Sequence, residues 1–204
     1  MTRALIVVDA QRDFCEGGAL PVEGGNAVCI RIADAIRSLG KGQKKLYQYI
    51  VGTKDFHIPG DSNGGHFSDN PDYVTTWPEH CVQGTEGSMF HPEIADAAWA
   101  GFDAVFYKGA GRPDYSGFHG KAPSLYPDGD IYLLDWLQRR NVTDLDIVGL
   151  ATDYCVKETA MDAIQNGFNV RIPQALTAAV GGQEARDLWI KTVYAAQGSS
   201  LHLN

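Results

Sequence analysis

No stretch of this 204-residue chain is apolar for long enough to cross a bilayer as a helix. Its first residues lack the basic-then-apolar pattern of a secretory leader and enter a strand-like segment almost at once. Positive charge is also scarce. Lys and Arg number 17 against 25 Asp and Glu, giving a formal net charge of -8, and they form no cluster of the kind a nucleic-acid surface needs. Cysteine occurs four times, at 15, 29, 81 and 155, without a CxxC pair or a regular spacing. That excludes a zinc ribbon or a disulfide framework and suits a reducing compartment. Internal repeats, low-complexity tracts and linkers are missing too. The expectation is one soluble, cytoplasmic domain over residues 1–204, with no nucleic-acid or membrane partner and an undetermined oligomeric state. A hydrophobic fraction of 44% and a chain of this length suffice to bury a core without staples.

What is present is a rhythm of short apolar runs and helix-like stretches. Ala4 to Val8 (ALIVV) reads as a buried parallel strand, being continuous and rich in β-branched residues. Further strands are expected at Lys45 to Thr53, Asp103 to Tyr107, Leu145 to Leu150 and Asn169 to Ile172, with a short last one at Leu201 to Leu203. Helical stripes run over Gly25 to Leu39, Ile131 to Arg140, Cys155 to Asn166 and Gln183 to Ala196. Such alternation predicts an α/β fold, a mostly parallel sheet with helices on both faces. One segment breaks the rhythm. Lys54 to about Pro92 is rich in Gly, Pro, Asp, Asn and His and is too long for a passive connection, which marks it as functional.

In an open parallel sheet, ligands bind beyond the carboxyl ends of the strands. Just past those ends come Asp9, then Asp55 and His57, then Lys108, then Thr152, Asp153 and Cys155. Cys155 opens a helix, where free amides and the dipole favour a thiolate; a thiol there is either a nucleophile or a buried structural cysteine. Asp9 caps a turn or, beside a thiol, moves its proton. Lys108 is a solvated strand end or the charge that poises both. Asp55 and His57, with His66 and His80 further along the same loop, form a mixed N/O set suited to zinc and also to iron or manganese. His91, His119 and His202 read as solvent-exposed, and Trp99, Trp136 and Trp189 as packing residues of helices.

Seven segments, in order, resemble the nicotinamidase branch of the isochorismatase-like cysteine hydrolases. They are VVDAQRDFCEGGALPV at 7–22, TKDFHIPGD at 53–61, GGHFSDNPDY at 64–73, WPEHCVQGTEGSMFHP at 77–92, VFYKG at 105–109, YSGF at 115–118 and VGLATDYCVKETAMDA at 148–163. The resemblance implies a triad with Asp9 as base, Cys155 as nucleophile and Lys108 poising them. It implies a cis peptide before Ala151, with the amides of Ala151 and Cys155 forming an oxyanion hole. One divalent metal, zinc first, would be held by Asp55, His57 and His80, with His66 as a further ligand. Phe14, Leu20, Trp77 and Tyr115 would wall a pocket for a flat ring. The implied reaction is hydrolysis of nicotinamide to nicotinate and ammonia, a step of NAD salvage, with pyrazinamide as a further substrate.

Two features depart from the family pattern. SNGG at 62–65 lengthens the stretch between His57 and His66, and Tyr154 precedes the nucleophile where some relatives carry His. The rival readings are a related amide or carbamoyl hydrolase acting on another small carboxamide, an isochorismatase proper, and a non-catalytic metal- or nicotinamide-binding protein.

Overall fold

The first strand explains the whole layout. In β1 (Arg3–Val8) every residue from Ala4 onward is buried, and neighbouring side chains point to opposite faces of a sheet. Ala4, Ile6 and Val8 enter one core, Leu5 and Val7 the other. The run is continuously apolar because both of its faces are covered. A computed structural model describes residues 1–39, 46–123 and 130–200.

β1 lies at the centre, parallel to β2 (Tyr49–Asp55) on one side and to β6 (Asp144–Leu150) on the other. β3 (Ala104–Lys108) continues the parallel order beyond β2, and two short strands, β4 (Lys121–Ala122) and β5 (Ile131–Tyr132), close that edge antiparallel. On the far side β7 (Asn169–Arg171) and β8 (Thr177–Ala178) both pair with β6, giving the order β5-β4-β3-β2-β1-β6-β7. Helices α1 (Gly25–Leu39) and α2 (Pro92–Gly101) cover one face through Val28, Ile32, Ile36, Ile94 and Ala97. Helices α3 (Leu133–Arg139), α4 (Lys157–Gln165) and α5 (Gly182–Ser200) cover the other through Trp136, Ala160, Ala163, Ile190 and Val193. This is the expected α/β architecture, a mostly parallel sheet between two helical layers. Among the described residues no helix is long and apolar enough to cross a membrane.

Several boundaries differ from the sequence reading. β2 starts at Tyr49, where pairing with Ala4 begins, and runs on to Asp55. Its polar end is held by pairing with β3, with Asp55 opposite Lys108, so hydrophobicity does not mark it. Ile131 and Tyr132 pair with β4 before α3 starts, a two-residue strand that has no periodicity to read. The helical segment after β6 begins earlier than Cys155, as a π-helical turn over Thr152–Val156 that leads into α4. The expected last strand at 201–203 lies outside the described residues.

Candidate active site

Strand order makes neighbours of residues that are far apart in sequence. β6, β1, β2 and β3 stand side by side, and their carboxyl ends bring Cys155, Asp9, Asp55 and Lys108 together. Asp9 is fully buried and sits just past β1 with φ of 45°, a left-handed turn that Asp tolerates. Its Oδ1 accepts a hydrogen bond from Thr53 Oγ1 (2.7 Å), and its Oδ2 pairs with Lys108 Nζ at 2.9 Å. Lys108 Nζ also donates to Asp55 Oδ1 (2.5 Å) and Asp114 O (3.2 Å), and it reaches Cys155 Sγ at 3.5 Å. Ligand atoms of Asp9, Asp55 and Cys155 lie within 4.8 Å of one another. The chain's own ammonium fills the space between them.

Burial decides how these groups hold their protons. It opposes charge on Lys108, but Asp55 and Asp9 outweigh it and keep the ammonium well above the ordinary lysine range. Burial raises Asp9, with Lys108 opposing. Burial would raise Asp55 too, but Lys108 and His57 hold that carboxyl below the usual range. The thiol of Cys155 is pushed well up by burial, with Asp9 and Asp55 adding to this against Lys108. A thiolate favoured by the helix start is therefore not what the structure supports at rest. Water exclusion outweighs the dipole, and the sulfur rests protonated beside a carboxylate whose affinity for that proton is enhanced.

The long loop brings its histidines to the other side of Asp55. One ring nitrogen from each of His57, His66 and His80 lies within 4.8 Å of the others, and all three side chains are buried. Asp55 Oδ2 is 3.8 Å from His57 Nε2 and 3.9 Å from His80 Nε2. The Nδ1 atoms of His57 and His80 each face a backbone carbonyl, Gly109 O and Pro78 O, both at 2.8 Å. A carbonyl only accepts, so each Nδ1 carries the proton and each Nε2 keeps a bare lone pair. Gly109 is required there: with φ of +82°, a Cβ would come within 2.7 Å of the His57 ring.

The donor set passes a direct test of fit for a cation. His57 Nε2 and His66 Nδ1 are buried without a hydrogen-bond partner, a condition that costs about 1–3 kcal/mol per group unless a ligand relieves it. Burial pushes His66 down to about 3 and lowers His80 as well, so both rings are neutral and ready to donate. Three imidazoles and a carboxylate suit a divalent metal such as zinc.

A cavity opens beside Cys155, Asp55, His66 and His80. Phe14, Leu20, Trp77 and Tyr115 all line it, as do Ala151 and Cys155. The peptide between Leu150 and Ala151 is cis. Trp77 Nε1 donates to Tyr115 Oη (3.0 Å), locking two of the walls together. Tyr154, noticed in the sequence only as a departure, packs edge-on against Trp77 with ring centroids 5.0 Å apart and lines the same cavity. Val22 and Val180 complete it. Val180 follows β8, and nothing in its local sequence marks it.

Gln11 is a further residue that sequence reading passed over. Fully buried, it accepts from Asp55 N (2.8 Å) and donates to Asp55 O (2.8 Å) and Ser88 O (3.0 Å), clamping the end of β2 to the returning loop. The residues expected to be peripheral divide. His119 is 46% exposed, though its Nδ1 lies 3.1 Å from Asp114 Oδ1. His91 is half-buried and accepts from Glu93 N to cap α2, so it is not simply solvated. Trp136 is a core residue, whereas Trp189 is half-buried under the Lys157 ammonium, 4.2 Å from its ring centroid. His202 and the Trp99 side chain lie outside the described residues.

Comparison with known proteins gives a consistent answer. The family model for the isochorismatase domain matches residues 3–199. A nicotinamidase/pyrazinamidase of Mycobacterium tuberculosis is 49% identical over 179 residues, covering 87% of each chain. Among solved structures, PnC1 from L. infantum in complex with nicotinate superposes with a TM-score of 0.73 at 31% identity, covering 96% of this chain and 89% of that one. A pyrazinamidase of Pyrococcus horikoshii in complex with zinc gives 0.70 at 30% identity, covering 97% of each.

Proposed function

The chain belongs to the isochorismatase family, on its nicotinamidase branch, and from that footing we propose that it hydrolyses nicotinamide to nicotinate and ammonia, accepts pyrazinamide, and serves NAD salvage. The observation that carries this reading is the meeting of Cys155, Asp9 and Lys108 beside an aromatic cavity and a set of buried, unpaired imidazole nitrogens.

The geometry supports the following sequence. A flat heteroaromatic ring enters between Phe14, Trp77 and Tyr115, which places its carboxamide against Cys155. Asp55, His57, His66 and His80 would hold one divalent ion, zinc being the best match to the donors, which would supply Lewis acidity toward a heteroaromatic nitrogen. Asp9 takes the thiol proton, and Lys108 steadies the charges on both groups. The sulfur adds to the carbonyl carbon, and the amides of Ala151 and Cys155 receive the oxyanion. The C–N bond then breaks, the proton on Asp9 leaves with the amine as ammonia, and a thioester remains. Water gives a proton to Asp9 and adds to the acyl carbon. The C–S bond breaks, nicotinate departs, and the proton returns to the sulfur.

The test is ammonia release by zinc-loaded protein supplied with nicotinamide, pyrazinamide, benzamide and an aliphatic carboxamide. Turnover of the two ring-nitrogen amides well above the other two is the expected result. Preference for benzamide or the aliphatic amide would overturn the substrate assignment.

A further inference from the structure

The residues at 62–65 that lengthen the path from His57 to His66 include two glycines, a composition that by itself would leave His66 loosely placed. The structure closes them into a turn around Asn63. This residue is fully buried and holds φ of 49°, a region that Asn visits more readily than most residues. Its Oδ1 accepts from both Ile58 N (2.9 Å) and Gly111 N (3.0 Å). Its Nδ2 donates to Ile58 O (3.2 Å) and Asp61 O (2.9 Å). One side-chain amide thus ties the residue after His57 to the loop that leaves β3. That loop carries Gly109, whose carbonyl fixes the His57 ring, and Asp114, whose carbonyl accepts from Lys108.

The next residue confirms how closely these loops approach. Gly64 has φ of +70°, and a Cβ there would lie 3.0 Å from Pro113 Cδ and 3.2 Å from Arg112 Cα. The turn is sealed by Phe67 N donating to Ser62 O (3.0 Å) and His66 N to Asn63 O (3.4 Å). At its exit the His66 ring stacks on His57, with centroids 4.9 Å apart and planes 28° from parallel.

We propose that Asn63 is the positioning residue for His66 in the metal centre, its Oδ1 bridging Ile58 and Gly111 so that the lengthened segment delivers the imidazole to His57, His80 and Asp55. The inference rests on reading the loop as a metal centre with His66 among its ligands.

Zinc affinity of the full-length apoprotein, measured by competition with a chromogenic chelator, tests it. Asn63→Gly removes the side-chain bonds and keeps the backbone free to adopt the same φ; it should weaken zinc by about 10- to 100-fold. Asn63→Asp retains the accepting oxygen but sets its second oxygen against Ile58 O and Asp61 O, so it should weaken zinc measurably yet by less than Asn63→Gly does. In a His66→Ala background, Asn63→Gly should change affinity by less than about twofold, because a residue that acts through His66 has nothing left to place. Asn63→Ser carries the same expectation should the glycine variant not fold. Wild-type affinity in Asn63→Gly, equal losses in the Gly and Asp variants, or an undiminished loss in the His66→Ala background would each overturn the proposal while leaving the metal centre intact. Unchanged zinc affinity in His66→Ala alone would remove the ligand reading of His66 and the proposal with it.

Discussion

The same sheet carries an ionic cluster at each end, and the two differ in how completely their buried groups are satisfied. Near the start of β1 and β6, Asp146 is 1% exposed, accepts from Tyr47 Oη (2.8 Å) and Arg171 Nε (2.8 Å) and pairs a second time with the same guanidinium. Arg3 stands 4.0 Å away. Both carboxylate oxygens of Asp146 and the Tyr47 hydroxyl have partners within the chain. At the carboxyl ends of the strands, Lys108 faces two carboxylates and a thiol, while His57 Nε2 and His66 Nδ1 have no partner. One cluster is finished by folding. The other is completed only by what binds, which is the physical mark of a site rather than a strut.

The largest effect should separate the two ends by activity. Cys155→Ala is expected to lower kcat by roughly 10⁴-fold or more, with zinc content unchanged, as read by ammonia release and metal analysis on one preparation. Retention of near-normal turnover would remove the nucleophile from the scheme. At the finished end, Asp146→Ala strands the buried Tyr47 hydroxyl and one face of the half-exposed Arg171, so stability should fall by about 1–3 kcal/mol. Denaturant unfolding measures that loss, and kcat of the folded fraction should stay within about twofold. Equal losses of activity from both variants would dissolve the comparison.

Acid separates the ends in a third way. His66 titrates at about 3 in the fold, against about 6.5 for an unfolded histidine. In that window the unfolded chain binds more protons, so the apoprotein's stability should fall as pH drops from about 6.5 towards 3. The zinc-loaded protein should hold its melting temperature further into acid, since bound metal favours the folded state. Parallel acid curves for the two forms would contradict this. A smaller effect is expected at Gln11, which holds the backbone of Asp55 on both sides. Gln11→Ala should weaken zinc about tenfold, measured by chelator competition, with a smaller change in melting temperature. Least of all, Glu86→Gln breaks an exposed pair with Arg12 and should alter stability by no more than about 0.5 kcal/mol.

The legible part of this protein follows from one rule. A continuous apolar run such as residues 4–8 must be covered on both faces, which demands helices on both sides and parallel order; the ends of such strands then mark where chemistry collects. Asp9, Lys108 and Cys155 stand at those ends and were readable for that reason. Tyr154 and Val180 were not, because a cavity wall is defined by what lies across from it. The two-residue strands β4, β5 and β8 were equally hidden, since their pairing is owed entirely to neighbours.

The electrostatic state of the site belongs to the same hidden class. A helix start suggests a low thiol pKa, but complete burial between two carboxylates reverses the sign for Cys155. The sequence alone determined the alternation of the longer strands with four of the five helices (α2 over Pro92–Gly101 went unread), the residue types at the strand ends and the presence of a histidine-bearing loop, because each is written in local pattern. Only the tertiary structure decided which of those groups touch and which nitrogens stay unpaired. It also decided that an Asn in a glycine-bearing insertion would be sealed inside the loop, because burial and long-range hydrogen bonds exist only once distant segments have met.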